Sequence, residues 1–508
     1  MNKFIKLIGA VAIINIVARV FGFLREMIIG FQFGTGHTSD SIFTAYMIPN
    51  FLYLVVGGAF TTVFISIYNR ESTDKGLFVK QSFTIVAVTA TVMTLIGMVF
   101  ATPILDSFKT DKIVSEEEVA LTRNLYLWMM PSSIFLVLSS WYSGLLNVNQ
   151  KFHLSSFAIL IYNAVFLLIA VVLSYTIGPI GYGISAFVSA ILMVYFLVIG
   201  YRKLDSYKVG FSFKQNVSTK ELWIMVVPIM LGGATIQLYA LLQRYVAGLL
   251  SLEGAVSSVN YASKLMQFPQ AILITAVTTV IYPILSQKES DNDHSSIKSL
   301  YSKGLHYLLL LLAPVTIFSY FYSTSLIQVV FEYSNFTAED TAATAPVLAV
   351  FVLSMYFLAA NGYITRFYYA KGDSMAPVVF SLLNVFGVNM AVIFLMVDAT
   401  GVVSIAWGTL ISSIVNFIML VVYASIKYDL KMGIFSKELQ FFRALPPLIV
   451  ITVVMYFSSE YLVFDNKWLT FIVGLVIFAA VLVGSYLLFG VKEVKEFSDK
   501  LKRKLLKQ

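Results

Sequence analysis

Apolar runs of about 20 residues or more recur along the whole of this 508-residue chain, interrupted only by short polar loops. Coiled at about 1.5 Å per residue, a run of that length matches the hydrocarbon core of a bilayer. Inside hydrocarbon every backbone N–H and C=O must be satisfied within the protein, so a serial set of such runs can only be helices. The pattern predicts an all-α polytopic membrane protein of about fourteen transmembrane helices. Their approximate limits are 5–32, 38–68, 78–106, 119–146, 153–176, 179–201 and 221–250. They continue with 256–286, 299–330, 341–370, 375–398, 401–427, 439–463 and 467–490. Charged residues make up 12% of the chain, about half the share of a soluble protein, and no interruption is long enough for a separate globular domain.

The formal charge of +8 therefore has to be read by position and does not point to nucleic acid. With a cytoplasmic N-terminus, twenty-six Lys and Arg fall on the inner side and three, Lys109, Lys112 and Lys467, on the outer side. By the positive-inside rule both termini are cytoplasmic, which requires an even number of spans. Lys3 and Lys6 precede a first run too long for a signal peptide, so that run is expected to stay in the mature protein. Absence of cysteine excludes disulfides and thiolate sites.

A basic linker divides the chain into a six-helix N-terminal lobe (1–206), a cytoplasmic linker (207–219) and a six-helix C-terminal lobe (220–432). Helices 13 and 14 follow (433–490), then a basic amphipathic cytoplasmic tail (491–508) with Val494, Phe497, Leu501 and Leu505 on one stripe. A weak internal echo supports two lobes. Arg25 precedes Pro49 by 24 positions and Arg244 precedes Pro269 by 25, and AFTTVFISIY at 59–68 resembles AVTTVIYPIL at 276–285. Parallel repeats of this kind are a transporter architecture with the site at the repeat interface.

Charges inside the runs are the candidate site. Arg19 lies near the middle of the first span, and Arg25 is six residues, roughly 9 Å, further along it. Arg244 belongs to the seventh span and Lys264 to the eighth. A charge at the bilayer centre costs about 2.5–3.5 kcal/mol on insertion scales and usually faces a protein interior or a wet cavity. Glu26 and Asp40 are the acids within reach, so these charges serve either as a latch between lobes or as a cationic cavity for an anionic headgroup. Arginine suits the second role because its fork donates two parallel bonds to phosphate or carboxylate oxygens. Pro49 and Pro269 are hinge candidates beside these positions. His37, His153, His294 and His306 lack metal-ligand spacing, no nucleotide-binding glycine motif is present, and no catalytic residue, metal or cofactor is expected. The abundant Tyr and Phe are expected mostly to face lipid and interface.

The same residues carry a family resemblance. ARVFGFLREMIIGFQFGTGHTSDSIFTAYMIPNF, GGAFTTVFI, NYASKLMQFPQAIL, VFEYSNFTAEDTAAT and RFYYAKGDSMAPV resemble the MurJ (MviN) family of lipid II flippases. The resemblance implies the fold of the multidrug/oligosaccharidyl-lipid/polysaccharide exporter superfamily, with two six-helix lobes around a central cavity and two further helices forming a groove for a polyprenyl tail. It implies no enzyme activity but a flippase that moves an undecaprenyl-diphosphate-linked cell-wall precursor, lipid II, from the inner to the outer leaflet of a bacterial cytoplasmic membrane by alternating access. Implied partners are that lipid-linked saccharide, membrane lipid and cell-wall synthesis proteins. By position, Arg19 and Arg25 match two functional arginines of the family's first helix, Asp40 the acid that begins its second, and Lys264 a functional base of its eighth. Arg244 resembles an arginine in the seventh helix of some members. Where the family reads PNLLRR this chain reads PNFLYL, placing Tyr53 at an arginine position, and Ser263 and Gln267 replace an Asp and a Glu. Those departures leave open a flippase for another polyprenyl-linked glycan, such as a capsule or teichoic-acid unit. A cation-coupled drug exporter of the same fold generally needs intramembrane carboxylates, whereas this interior is mainly basic.

Overall fold

The structure, a computed structural model, describes residues 3–70, 74–107, 115–204, 206–214, 217–250, 253–290, 293–432 and 444–491. Beyond Val491, the expected amphipathic tail lies outside the described residues. Regular structure among those residues is entirely helical. Nine helices are long and apolar enough to cross a bilayer, or ten if a bent pair counts as one span, among the described residues.

The first of two compact units, Met1–Asn260, begins with α1 (Lys3–Phe33), α2 (His37–Arg70), α3 (Lys75–Val99) and α4 (Glu116–Val148). It continues with α5 (Phe152–Ile177), α6 (Ile180–Arg202), α7 (Val217–Leu249) and the first turns of α8 (Ala255–Ser290). Local chemistry sets several starts. Asp74 accepts from the Leu77 amide ahead of α3, and Ser115 with Glu118 forms a reciprocal capping box for α4. Each such cap stabilises a helix end by about 1 kcal/mol. In α6 the buried residues Tyr182, Ala186, Ser189, Met193 and Leu197 recur every three or four positions, giving one buried face, and the helix packs along α5. Polar contacts fix α1 to α5 and α6: Asn163 donates to the Ala18 carbonyl at 3.0 Å, and Gln32 meets Ser174 at 2.9 Å and Tyr182 at 2.8 Å.

Hydropathy did not disclose how α2 is wound. Its middle, Leu52–Gly57, is π-helical and follows three residues after Pro49. Proline removes an amide from the helical ladder, and wide turns of this kind accommodate such a break. A side chain at Gly57 would come within 2.6 Å of the Ser140 hydroxyl, so glycine lets the wide turn lie against α4.

The second unit, Tyr261–Gln508, contains the rest of α8 and α9 (His294–Phe321). Its α10 runs Ala338–Leu353 and, after a 42° bend, Met355–Ala370. Then come α11 (Met375–Thr400), α12 (Val403–Tyr428), α13 (Leu445–Tyr461) and α14 (Lys467–Leu488). A second π-helical stretch, Leu383–Asn389, interrupts α11. Helices α13 and α14 pack on α9 through Phe318, Tyr322, Ile451, Met455, Phe478 and Tyr486. Tyr322 donates to Ser458 and Tyr486 to the Leu310 carbonyl, so both rings enter the apolar core with their hydroxyls satisfied.

One expectation needs correction. Many tyrosines do not face lipid: Tyr126, Tyr182, Tyr261, Tyr301, Tyr322, Tyr363 and Tyr368 are among the largest fully buried side chains. Several reach backbone carbonyls from inside a core, as Tyr126 does to Gly97, Tyr363 to Leu300 and Tyr368 to Leu420. Hydropathy cannot separate an aromatic anchor in lipid from one that bonds within the protein.

Candidate functional site

The first unit gathers most of the charged positions singled out above. Arg19, on α1, is exposed. Arg25 is enclosed, with a side chain 13% accessible. Its guanidinium lies 5.1 Å from the ring centre of Tyr46 on α2 and 4.9 Å from that of Phe166 on α5. Tyr46 and Tyr162 share a hydroxyl contact of 3.0 Å, and Phe166 packs edge-on against both rings. The cation therefore sits in an aromatic box drawn from two helices. Such contacts contribute about 2 kcal/mol or more when desolvated.

From that box Arg25 donates to Glu26 Oε1 at 3.0 Å. Glu26 is buried, and its second oxygen accepts from Asn260 Nδ2 at 2.9 Å. The amide's own oxygen then accepts from Arg244 at 2.8 Å. The result is a continuous chain, guanidinium to carboxylate to amide to guanidinium, built by α1, α8 and α7. A carboxamide can donate to an acid and accept from a base at once without adding charge. Along this chain two cations share one anion. A buried charge pair is stable only with good geometry and further hydrogen bonds, and an anion arriving at either guanidinium competes with groups already in place.

Asp40 is used differently. It sits in the first turn of α2 and accepts from the Ser257 amide at 2.6 Å. Ser257 is the third residue of α8, where backbone amides lack intrahelical acceptors and the helix end carries partial positive charge. Sequence reasoning grouped Asp40 with the arginines as an ion-pair residue; its acceptor role here is a cap on another helix. The turn before α8 is tightly seated. Gly254 has φ +74°, and a Cβ there would meet the Thr35 carbonyl oxygen at 2.9 Å. Beside it, His37 Nε2 lies 3.2 Å from Glu118 and 3.4 Å from Glu253.

The remaining positions are placed as follows. Pro49 is buried in α2, and Tyr53 lies in the adjoining π-helical segment. Lys264, Ser263, Gln267 and Pro269 belong to the part of α8 in the second unit; Lys264 is half-buried and Gln267 exposed. Sequence reasoning missed Asn260, Tyr46, Tyr162 and Phe166. The available signal was a polar amide sixteen residues after Arg244 and a tyrosine six residues after Asp40.

Comparison with solved structures defines the class. The fold matches a structure described as "Lipid II flippase MurJ, inward closed conformation" with a TM-score of 0.81 at 21% identity, covering 96% of this chain and 99% of that one. It also matches the inward-facing conformation of a multidrug resistance MATE family transporter of the MOP superfamily, with a TM-score of 0.69 at 12% identity, covering 82% and 99%. The protein thus shares the multi-pass α-helical fold of these structures. Residues 29–481 match the family described as lipid II flippase MurJ, and the chain belongs to that family. A relative from Rickettsia prowazekii (strain Madrid E), named probable lipid II flippase MurJ, is 26% identical over 483 residues, covering 92% of this chain and 95% of its own length. The lipid II flippase MurJ of Burkholderia cenocepacia is 27% identical over 390 residues, covering 74% and 75%.

Proposed function

We propose that this protein is a flippase that moves the undecaprenyl-diphosphate-linked peptidoglycan precursor lipid II from the inner to the outer leaflet by alternating access. One observation carries the reading: the buried Arg25–Glu26–Asn260–Arg244 chain, in which two guanidiniums share one carboxylate. Membership of the MurJ family supports it. Arg19, Arg25, Arg244 and Lys264 are the cations assigned to the diphosphate and nearby carboxylates of the headgroup. Glu26 holds Arg25 while substrate is absent, and Asp40 keeps the start of α8 fixed against α2 as part of the gate. Pro49 and Pro269 are the assigned hinges. An inside-negative potential favours outward movement of an anion by about 2.3 kcal/mol per charge per 100 mV, which supplies a driving force without a nucleotide.

The membrane arrangement belongs to the same proposal: fourteen spans, both termini cytoplasmic, lobes at 1–206 and 220–432 joined by the linker at 207–219, and helices 13–14 (433–490) serving the lipid tail. The excess of basic residues on one side supports it. We assign no catalytic step to the chain. Cell-wall synthesis proteins are the expected protein partners. Tyr53, in the π-helical segment where the family pattern has arginine, favours one second reading, a flippase for another polyprenyl-linked glycan.

Depletion of the protein in its host, followed by probing lipid II at the outer surface, tests the reading. Accessible lipid II should fall on depletion, and a well-inserted Arg25→Ala variant should not restore it. Normal lipid II exposure in depleted cells would instead favour the second glycan.

A further inference from the structure

In the second compact unit, the ends of α9 and α13, the helix Ser323–Val330, the loop into α14 and its first residues border an open cavity of about 860 Å³. Two aromatic side chains on its lining, Trp468 and Phe464, are 48% and 39% exposed. Three carboxylates and one ammonium also line it. The ammonium, on Lys467, is already engaged: it lies 3.9 Å from the ring centre of Tyr333 and 3.9 Å from Glu332 Oε1, and it donates to the Glu332 carbonyl. By contrast Glu460, Asp465 and the Gln328 side chain have no hydrogen-bond or ion-pair partner among the described residues.

These features narrow the ligand. An excess of two negative charges disfavours phosphate, diphosphate and anionic lipid headgroups. Acyl chains would leave the carboxylates desolvated and unpaired, at several kcal/mol each. A compact ammonium would require the carboxylates to converge on one point. The acceptors come from three elements, with Glu460 in the last turn of α13, Asp465 in the following loop and Gln328 on a separate helix. Dispersed acceptors beside exposed aromatic rings suit a ligand with an apolar face and many hydroxyls, and the volume lies within the usual range for small-molecule sites.

We propose that this cavity is a saccharide-binding site for one or two pyranose rings. Trp468 stacks on a sugar's C–H face, while Glu460, Asp465 and Gln328 accept and donate hydrogen bonds around its rim. Identifying the sugar as the glycan of the transported lipid rests on the flippase reading. On the proposed topology this end of the unit is non-cytoplasmic, so the site would take only the sugar rings of the headgroup after it has crossed, with the diphosphate outside the acidic lining.

Saturation-transfer NMR on the full-length protein in nanodiscs, with N,N′-diacetylchitobiose as probe, tests the proposal. A saturable signal is expected, weakened about tenfold by Glu460→Gln and by Asp465→Asn, since each removes one charge-assisted bond. It should be lost in Trp468→Ala and retained in Trp468→Phe, which keeps a ring. Absence of signal at millimolar sugar, or equal signal in all variants, would overturn the proposal. So would cadaverine showing the variant-dependent signal in place of the sugar. Arg25→Ala separates the two readings: sugar binding there should persist although transport is lost. Sugar binding with no lipid II transport in the wild type would sink the flippase reading alone.

Discussion

Each unit holds a distinct buried polar network, one charged and one neutral. In the first, the network around Arg25 is charged: Arg25 donates to Glu26, Asn260 donates to Glu26 and Arg244 donates to Asn260. In the second, the polar seam of α10, α11 and α12 is neutral. Asn361 donates to the Ser413 carbonyl, Asn384 to Asn416 and Asn389 to Ser412, while the side-chain oxygens of all three asparagines have no hydrogen-bond partner among the described residues. An unsatisfied buried amide oxygen costs about 1–3 kcal/mol, whereas an unpaired buried charge costs about 3–5 kcal/mol. An unpaired neutral oxygen is therefore tolerable where an unpaired charge is not, and the first unit too leaves Gln81 Oε1 and Thr94 Oγ1 without a hydrogen-bond partner among the described residues.

Removing the central anion should give the largest effect. Glu26→Ala leaves two guanidiniums without the carboxylate between them, and we expect a loss of about 3–5 kcal/mol in unfolding stability measured in nanodiscs. Next comes Asn260→Ala, which cuts the link between Glu26 and Arg244. A loss of about 1.5–3 kcal/mol is expected, the usual worth of hydrogen bonds to charged groups. In a double-mutant cycle the two changes should be strongly non-additive, because they act on one network. Smallest of the three is Asn389→Ala. Its bond to Ser412 is long, at 3.4 Å, and the substitution also removes an unpartnered oxygen, so less than about 1 kcal/mol should be lost. Equal losses for Asn260→Ala and Asn389→Ala would erase the distinction between the units.

Much of this was legible from the chain alone, and the failures share a cause. Long apolar runs locate the helices because length and hydropathy are what a bilayer selects, and the charges of α1 stand out because hydrocarbon makes them costly. Other features turn on geometry that composition does not encode. The π-helical turns at Leu52–Gly57 and Leu383–Asn389 are shifts in hydrogen-bond pattern that hydropathy does not register. Tyr46 and Phe166 look like ordinary membrane aromatics until α1 places Arg25 against them. Asn260 is a neutral residue in the stretch SSVNYASK, and nothing in its neighbours marks it as the link between two charged helices. Asp40 was conspicuous, yet an acid in a sequence does not state whether it will meet a cation or a helix end.

Transport of fluorescent lipid II in proteoliposomes, wild type against Arg25→Gln, tests the central claim most directly. Glutamine can still donate to Glu26, so the protein should insert and remain folded while losing the charge offered to the diphosphate. Translocation should fall at least about tenfold, the loss of one charge-assisted contact to the substrate. Wild-type translocation by a folded Arg25→Gln protein would contradict the assignment of the buried charge chain to the headgroup.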